Sequence, residues 1–328
     1  MNRQLKETIG GNMIRFLLVL SGILALAVSV TAQANDQLKY AGKGTIGNEV
    51  VIGSFTVAFY HRKEDRMATF EGGVREMEVG LSGLSRAQLA KVTDIAYEVF
   101  VLQLKEAGIT VRDRAALAAL LNGGGGLRPL DNGYNLKLDL GRNGGSGNAF
   151  LFSPSALGGP VFNREHPPLT AMFSGPLGGF KMASMMPAAL HFEKITKEYA
   201  KDNAVAVINP ILIVDFADFA KYDGSYRRSI KAEASLALAG IVNKVELTSV
   251  QFYGDNGKDG RIVLESPIAV AGGFGRVIKR RSDPIEDLES TYSASSHSFV
   301  VEPAQWAEGM AQLLLEGSNA FAGAIAAR

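Results

Sequence analysis

Four histidines, no cysteine and a few aspartate-bearing turns are what this chain of 328 residues offers for chemistry. His61, His166, His191 and His297 form neither an H-x-x-x-H pair nor H-E-x-x-H, so a zinc site would have to assemble from distant segments. His191, near the start of a striped segment, reads as an interface or core residue. The G-x-S-x-G turn that exposes a nucleophilic serine occurs nowhere. A triad of a scattered serine, His61 or His297, and Asp215 stays open, because such triads are spatial rather than sequential. The missing cysteine removes thiol nucleophiles, thiolate zinc and iron–sulfur sites, a disulfide framework and a lipid on an N-terminal cysteine.

Three further patterns resemble sites and read more simply as structure. Gly42-Lys43-Gly44-Thr45-Ile46-Gly47 matches G-x-G-x-x-G in letters, but a dinucleotide site needs a strand before it and a helix after. Here a strand follows, so an extended, flexible lead-in is expected. Asp255, Gly257, Asp259 and Gly260 outline a calcium loop, yet the twelfth position is Ser266, with Glu265 one place early. A hairpin turn is the expectation there. Arg276 to Arg281 is a basic cluster followed by Asp283, Glu286, Asp287 and Glu289, which largely cancel its field. A solvated loop is the default, and contact with anionic headgroups at a membrane surface is the sharper option. No cofactor and no metal are expected.

The elements that would position these residues follow from periodicity. Glu49 to Tyr60 is rich in β-branched and aromatic residues and reads as a first strand. The run His61-Arg-Lys-Glu-Asp-Arg66 reads as a charged turn that ends it, with residues 67–81 returning antiparallel. Ser85 with Gln88 forms a capping box, and Leu89, Val92, Ala96, Val99 and Leu102 stripe the helix that Gly108 stops. Ile109 to Val111 is a short strand, and a second helix runs from Ala115 to Leu121. Residues 122–187 form a glycine-punctuated insertion in which Tyr134 to Leu140 alternates and Phe150 to Phe152 is its partner strand. A striped helix from Ala188 to Tyr199 leads into the apolar strand Ala204 to Phe216, where Pro210 implies a bulge or an edge. Ile230 to Tyr253 and Arg261 to Ala271 flank the hairpin turn. Pro303 then opens a closing helix striped by Trp306, Met310, Leu313, Leu314, Phe321 and Ile325. The order implies an α/β (α+β) protein: a mixed β-sheet covered by helices, with a glycine-rich loop and hairpin insertion.

Composition narrows the role. The balance of 34 Lys+Arg against 33 Asp+Glu argues against a nucleic-acid reader, whose phosphate contacts require clustered basic excess. Arg3, Lys6 and Arg15 precede an apolar run from Phe16 to Val30, which ends in Thr31-Ala32-Gln33-Ala34. A cationic start, an apolar stretch of about 15 residues and an A-x-A site are the parts of a secretory signal peptide, cut after Ala34 with Ala32 as the other small residue. Met13 offers an equally complete, shorter start. The expectation is residues 1–34 as leader, 35–328 as one α/β domain, and a periplasmic location.

The strand Val50 to Phe59, the helix Ser85 to Ala107, then Gly108-Ile-Thr-Val-Arg-Asp113-Arg114 with Leu117, Leu120 and Leu121, form a recognisable series. It resembles the periplasmic α/β domain of the curli production assembly/transport component family and, more loosely, the N-terminal domain of the TolB translocation protein. The later order of strand, hairpin and closing helix from Ala204 follows the same plan. The resemblance implies an envelope protein that assembles or exports something, with a protein partner or self-association, no catalysis and at most peripheral membrane contact. Members of that curli family are lipidated at a cysteine, which this chain lacks. Residues 67–81 and 134–152 match the family's membrane-inserting hairpins in position, but Glu71, Arg75, Glu76, Glu78 and Arg142 oppose a lipid-facing wall. The alternative expectation is a metal-independent periplasmic hydrolase or small-ligand-binding protein with the glycine-rich loops as a lid.

Overall fold

Where β-branched and aromatic residues crowd together the chain is extended, and where apolar residues recur every third or fourth position it coils. A computed structural model describes residues 37–68, 74–123, 130–139, 146–159, 191–223, 228–242, 245–279 and 297–328. In chain order these contain β1 (Leu38–Gly42), β2 (Glu49–Ile52), β3 (Thr56–Ala68), β4 (Val74–Ser82), α1 (Arg86–Glu106), β5 (Thr110–Val111), α2 (Ala115–Gly123), β6 (Tyr134–Asp139) and β7 (Ser146–Phe152). Then follow α3 (191–202), β8 (Ala206–Asp223), β9 (Arg228–Leu238), β10 (Ile241–Val242), β11 (Val245–Glu246) and β12 (Ser249–Tyr253). The chain closes with β13 (Asp259–Leu264), β14 (Ile268–Ala269), β15 (Gly275–Lys279), β16 (His297–Val301) and α4 (Pro303–Ala326). The leader, with Ala32 and Ala34, lies outside the described residues, as does the whole span 160–190 with His166.

All but β10 and β11 join one mixed sheet, as the α/β expectation requires. Period-two alternation divides its side chains between two cores. Val50, Ile52, Ala206, Ile208, Val250 and Phe252 enter the larger core with Leu89, Phe100, Trp306 and Phe321 of α1 and α4. Their neighbours Val51, Val207 and Tyr253 turn the other way and meet Leu117 and Leu121 of α2 and Phe192 and Tyr199 of α3. The sheet is therefore covered by helices on both faces. Each fully buried large side chain in the closing stripe contributes roughly 1.5–3 kcal/mol, which is what pins α4 onto the sheet.

Local signals explain most boundaries. Ser85 caps α1 through a complete capping box with Gln88, and Gly108, at φ +85°, turns the chain after it. Pro303 occupies the first turn of α4. Tyr134 to Asp139 pairs antiparallel with Ser146 to Phe152, the hairpin expected inside the glycine-rich insertion, and β7 then docks on β3. The turn at Asp255–Gly257 joins β12 to β13 as expected.

Four expectations are corrected. The charged run His61 to Arg66 is no turn: β3 continues through it to Ala68 and pairs with β4 from Arg62 to Ala68. The first strand, in contrast, breaks at residues 53–55 into β2 and β3. The span Ile230 to Tyr253 is not one strand but β9, the small β10–β11 pair and β12. Pro210 is not on an edge strand; it lies inside β8, opposite Val250, and faces the irregular break in the parallel ladder where β2 has ended and β3 has not begun, residues 53–55 standing against 209–210. Gly53 N–H donates to the Ile208 carbonyl at 2.9 Å, so a continued parallel ladder would have residue 210 donate back to the Gly53 carbonyl. Proline has no such proton, and Arg114 Nε supplies one instead at 3.1 Å.

Candidate functional site

The chemistry-bearing side chains gather where the sheet forks. β3 and β8 run parallel from Thr56 to Phe59 and from Ile211 to Val214. Beyond that level β4 takes the place of β8 beside β3, while β8 continues with β9. Two long hairpins, β3–β4 and β8–β9, thus share a base and lie against each other. Alternation sends Lys63 and Asp65 of β3 towards the second hairpin and Arg62, Glu64 and Arg66 to the opposite face.

Across the fork the charges are reciprocal. Lys63 Nζ lies 2.6 Å from Asp215 Oδ2, and Lys221 Nζ lies 2.8 Å from Asp65 Oδ2. Lys63 also donates to the Ala217 carbonyl at 2.6 Å and sits 5.7 Å and 5.4 Å from the ring centres of Tyr60 and Phe219. Its three protons and its charge are therefore well matched. Beneath it Phe216 and Phe299 stack at 6.0 Å. The Tyr60 hydroxyl is buried with no hydrogen-bond partner, and burial, reinforced by the charge of Asp215, raises its pKa far above the usual phenol range.

On the opposite face Glu64, Glu76 and Glu78 bring carboxylate oxygens within 4.8 Å of one another. Arginines already hold them. Arg62 grips Glu78 with Nε at 2.6 Å and a second nitrogen at 3.0 Å, and Arg66 reaches Glu64 at 2.6 Å and Glu76 at 3.1 Å. A cation would have to displace two guanidinium groups, so the geometry is that of an ion-pair lattice. Beside it His61 stacks on Phe150 at 3.8 Å, with Nε2 3.0 Å from Asn135 Oδ1. Burial lowers its pKa to about 4; the Asn135 contact opposes this, and the positive charges of Arg86 and Arg62 add to it.

The triad left open by sequence is not assembled around Asp215. Its two oxygens serve Lys63 Nζ and, at 3.3 Å, the Ala217 N–H, while His61 bonds on the other face of β3. His297 is the first residue of β16, opposite Val79, and His191, the first described residue of α3, has Nε2 buried and lacking a hydrogen-bond partner. The G-x-G-x-x-G segment is not a free lead-in. It lies along the β12–β13 turn, with Lys43 and Gly44 N–H bonded to the Asp259 carbonyl at 3.0 and 2.9 Å and Thr45 Oγ1 donating to Asp255. No helix follows it, so it builds no dinucleotide cradle. Of the basic cluster, Arg276 to Lys279 form β15, paired with β16, and the rest lies outside the described residues. Among the described residues no helix is long and apolar enough to cross a membrane.

Sequence reasoning missed Lys63, Asp65 and Lys221, and it read Asp215 only as a triad member. The signal was present: in His61 to Arg66 the charges alternate in sign with period two along one face, Lys63 then Asp65, as a strand requires. Comparison with protein-family models, with curated proteins and with solved structures finds no match.

Proposed function

We propose that this chain is an exported protein of the cell envelope that acts by binding, as a periplasmic accessory or scaffold in assembly or secretion, and carries out no chemistry of its own. The observation that carries the reading is the fork: its lysines and aspartates are committed to one another, and with the aromatic rings they serve to hold two hairpins together. The cationic start, the apolar run and the Ala32–Ala34 site support export, and the resemblance to the curli assembly and transport family supports a role with a protein partner or a second copy. Charges on both faces of β3 support membrane contact that is at most peripheral, because a lipid-facing strand keeps one face apolar.

Expression of the full chain in a Gram-negative host, with osmotic-shock fractionation and N-terminal sequencing, tests export; a mature end at Asn35 is expected. Light scattering and crosslinked pull-down from the envelope fraction test binding, with a defined oligomer or a reproducible partner expected. Uncut chain in the cytosol, or a strict monomer without partner that turns over a hydrolase substrate, overturns the proposal.

A further inference from the structure

The break between β2 and β3 gathers hydrogen-bond donors that lack acceptors. β2 runs parallel to both β5 and β8, so the chain after Ile52, the chain after Val111 and residues 209–210 of β8 meet at one end of these strands. The carboxyl ends of parallel strands are where α/β sheets commonly hold ligands. Gly53 stands in the middle of this junction. Its carbonyl accepts from Arg114 Nε at 3.1 Å, and a Cβ on it would lie 2.6 Å from Asn209 Oδ1. Arg114 and the Asn209 amide therefore flank the same glycine.

Asn209 is fully buried. Its Oδ1 accepts from Ser54 Oγ at 3.0 Å, whereas its Nδ2 has no hydrogen-bond partner. A buried donor left unmatched destabilises a fold, so stability alone does not explain this amide. Arg114 is half-buried, and its bond to Gly53 orients the guanidinium while leaving the two terminal nitrogens without a partner among the described residues. Burial holds its pKa below the ordinary value; the Tyr97 phenol partly offsets this, and among the described residues no carboxylate does. Arg114 also stands just before α2 and accepts the first helical bond, from Ala118 N–H at 2.8 Å, so the positive end of that helix lies beside it.

We propose that Arg114 and Asn209 form a binding site for a carboxylate group, with one oxygen on the terminal nitrogens of Arg114 and the other accepting from Asn209 Nδ2. A monoanion is the class that fits. Arg112 is already paired with Glu49, and Asp113 stands next to Arg114, so a single positive charge is on offer. A dianionic phosphate would bring more charge than the site can match. Two sources carry a carboxylate, a small organic acid and the free C-terminus of a peptide, and the test separates them. The inference is independent of the envelope role, since the site is built by the fold whatever compartment holds it.

The isotope-labelled full chain is titrated at constant ionic strength with acetate, with N-acetyl-trialanine, with the same peptide amidated at its C-terminus, and with inorganic phosphate. NMR follows the Asn209 side-chain amide and the Arg114 guanidinium, and the same titrations give the affinities. Both signals are expected to move together and saturably with acetate and with the free peptide, and to stay in place with the amidated one. Tighter binding of the peptide than of acetate assigns the site to chain ends; otherwise it is a site for small acids. Arg114→Gln keeps an amide donor for the Gly53 carbonyl but loses the charge and the fork, and is expected to weaken binding about tenfold or more. Arg114→Lys keeps the charge alone and should weaken it less. Failure of the two wild-type signals to move together overturns the proposal. So does an amidated peptide that matches the free one, phosphate that binds more tightly than either carboxylate, or undiminished affinity in a folded Arg114 variant. The wild-type titration decides the matter without either variant.

Discussion

The imidazole of His61 ionises near pH 4 in the folded chain and near its ordinary 6.5 once unfolded, chiefly because burial against Phe150 disfavours the charged form. Between those values the unfolded state binds the extra proton, so its contribution to stability is complete above about pH 6.5 and is lost as pH falls towards 4. A loss of about 3 kcal/mol over that window is the upper bound from this residue. Urea unfolding at pH 7.5 and 4.5 measures it, and His61→Gln is expected to flatten the difference; an unchanged slope in that variant removes His61 as the cause. Sequence displayed the histidine but not its surroundings, because Phe150 and Asn135 come from β7 and β6 far along the chain. Arg114 hid for the same reason. It reads as a charge near a helix start, and its bond to the Gly53 carbonyl has meaning only once Pro210 is seen beside that carbonyl.

At the scale of elements, helices were legible and the long strands were half legible. A helix buries one stripe of its own sequence, so Trp306, Met310, Leu313, Leu314, Phe321 and Ile325 announce α4, and each is buried. What the stripe does not announce is where α4 must be narrow. A Cβ on Gly309 would stand 2.2 Å from Phe274 Cε1 and 2.9 Å from Leu236 Cδ2. Gly309→Ala is therefore expected to destabilise by about 1–3 kcal/mol despite its better helix propensity, as measured by guanidinium unfolding. Gly323→Ala, with open space around the same probe atom, is the control and should be neutral or slightly stabilising. The strands failed at His61 to Arg66 because charge density marks turns only when the charges face water. Here partners neutralise them: Arg66 pairs with Glu64 within the strand, and the cross-strand and cross-hairpin partners of Arg62, Lys63, Asp65 and Arg66 lie in other elements.

For the whole molecule, the decisive contact is between hairpins rather than within either. Lys63 and Asp215 have side chains only 17% and 20% exposed, so removing one leaves a poorly solvated charge behind. Lys63→Ala and Asp215→Ala are each expected to cost about 3 kcal/mol, and Lys63→Met with Asp215→Leu to recover most of it. A double-mutant cycle followed by denaturant unfolding checks this; additive losses would mean that the pair does not act as a unit. The mixed sheet covered by helices was readable from element order, while the fork was not, since nothing local says that β8 leaves β3 at Val214. That separation also governs the tempo of folding. The hairpin β3–β4 can close early from neighbouring residues, but its inward lysine meets its counter-charge only when a segment 152 positions later arrives. Until then one flank of the young hairpin stays wet and unmatched, so maturation is expected to be slow and vulnerable to trapping, and a holding chaperone would shield that flank during the wait.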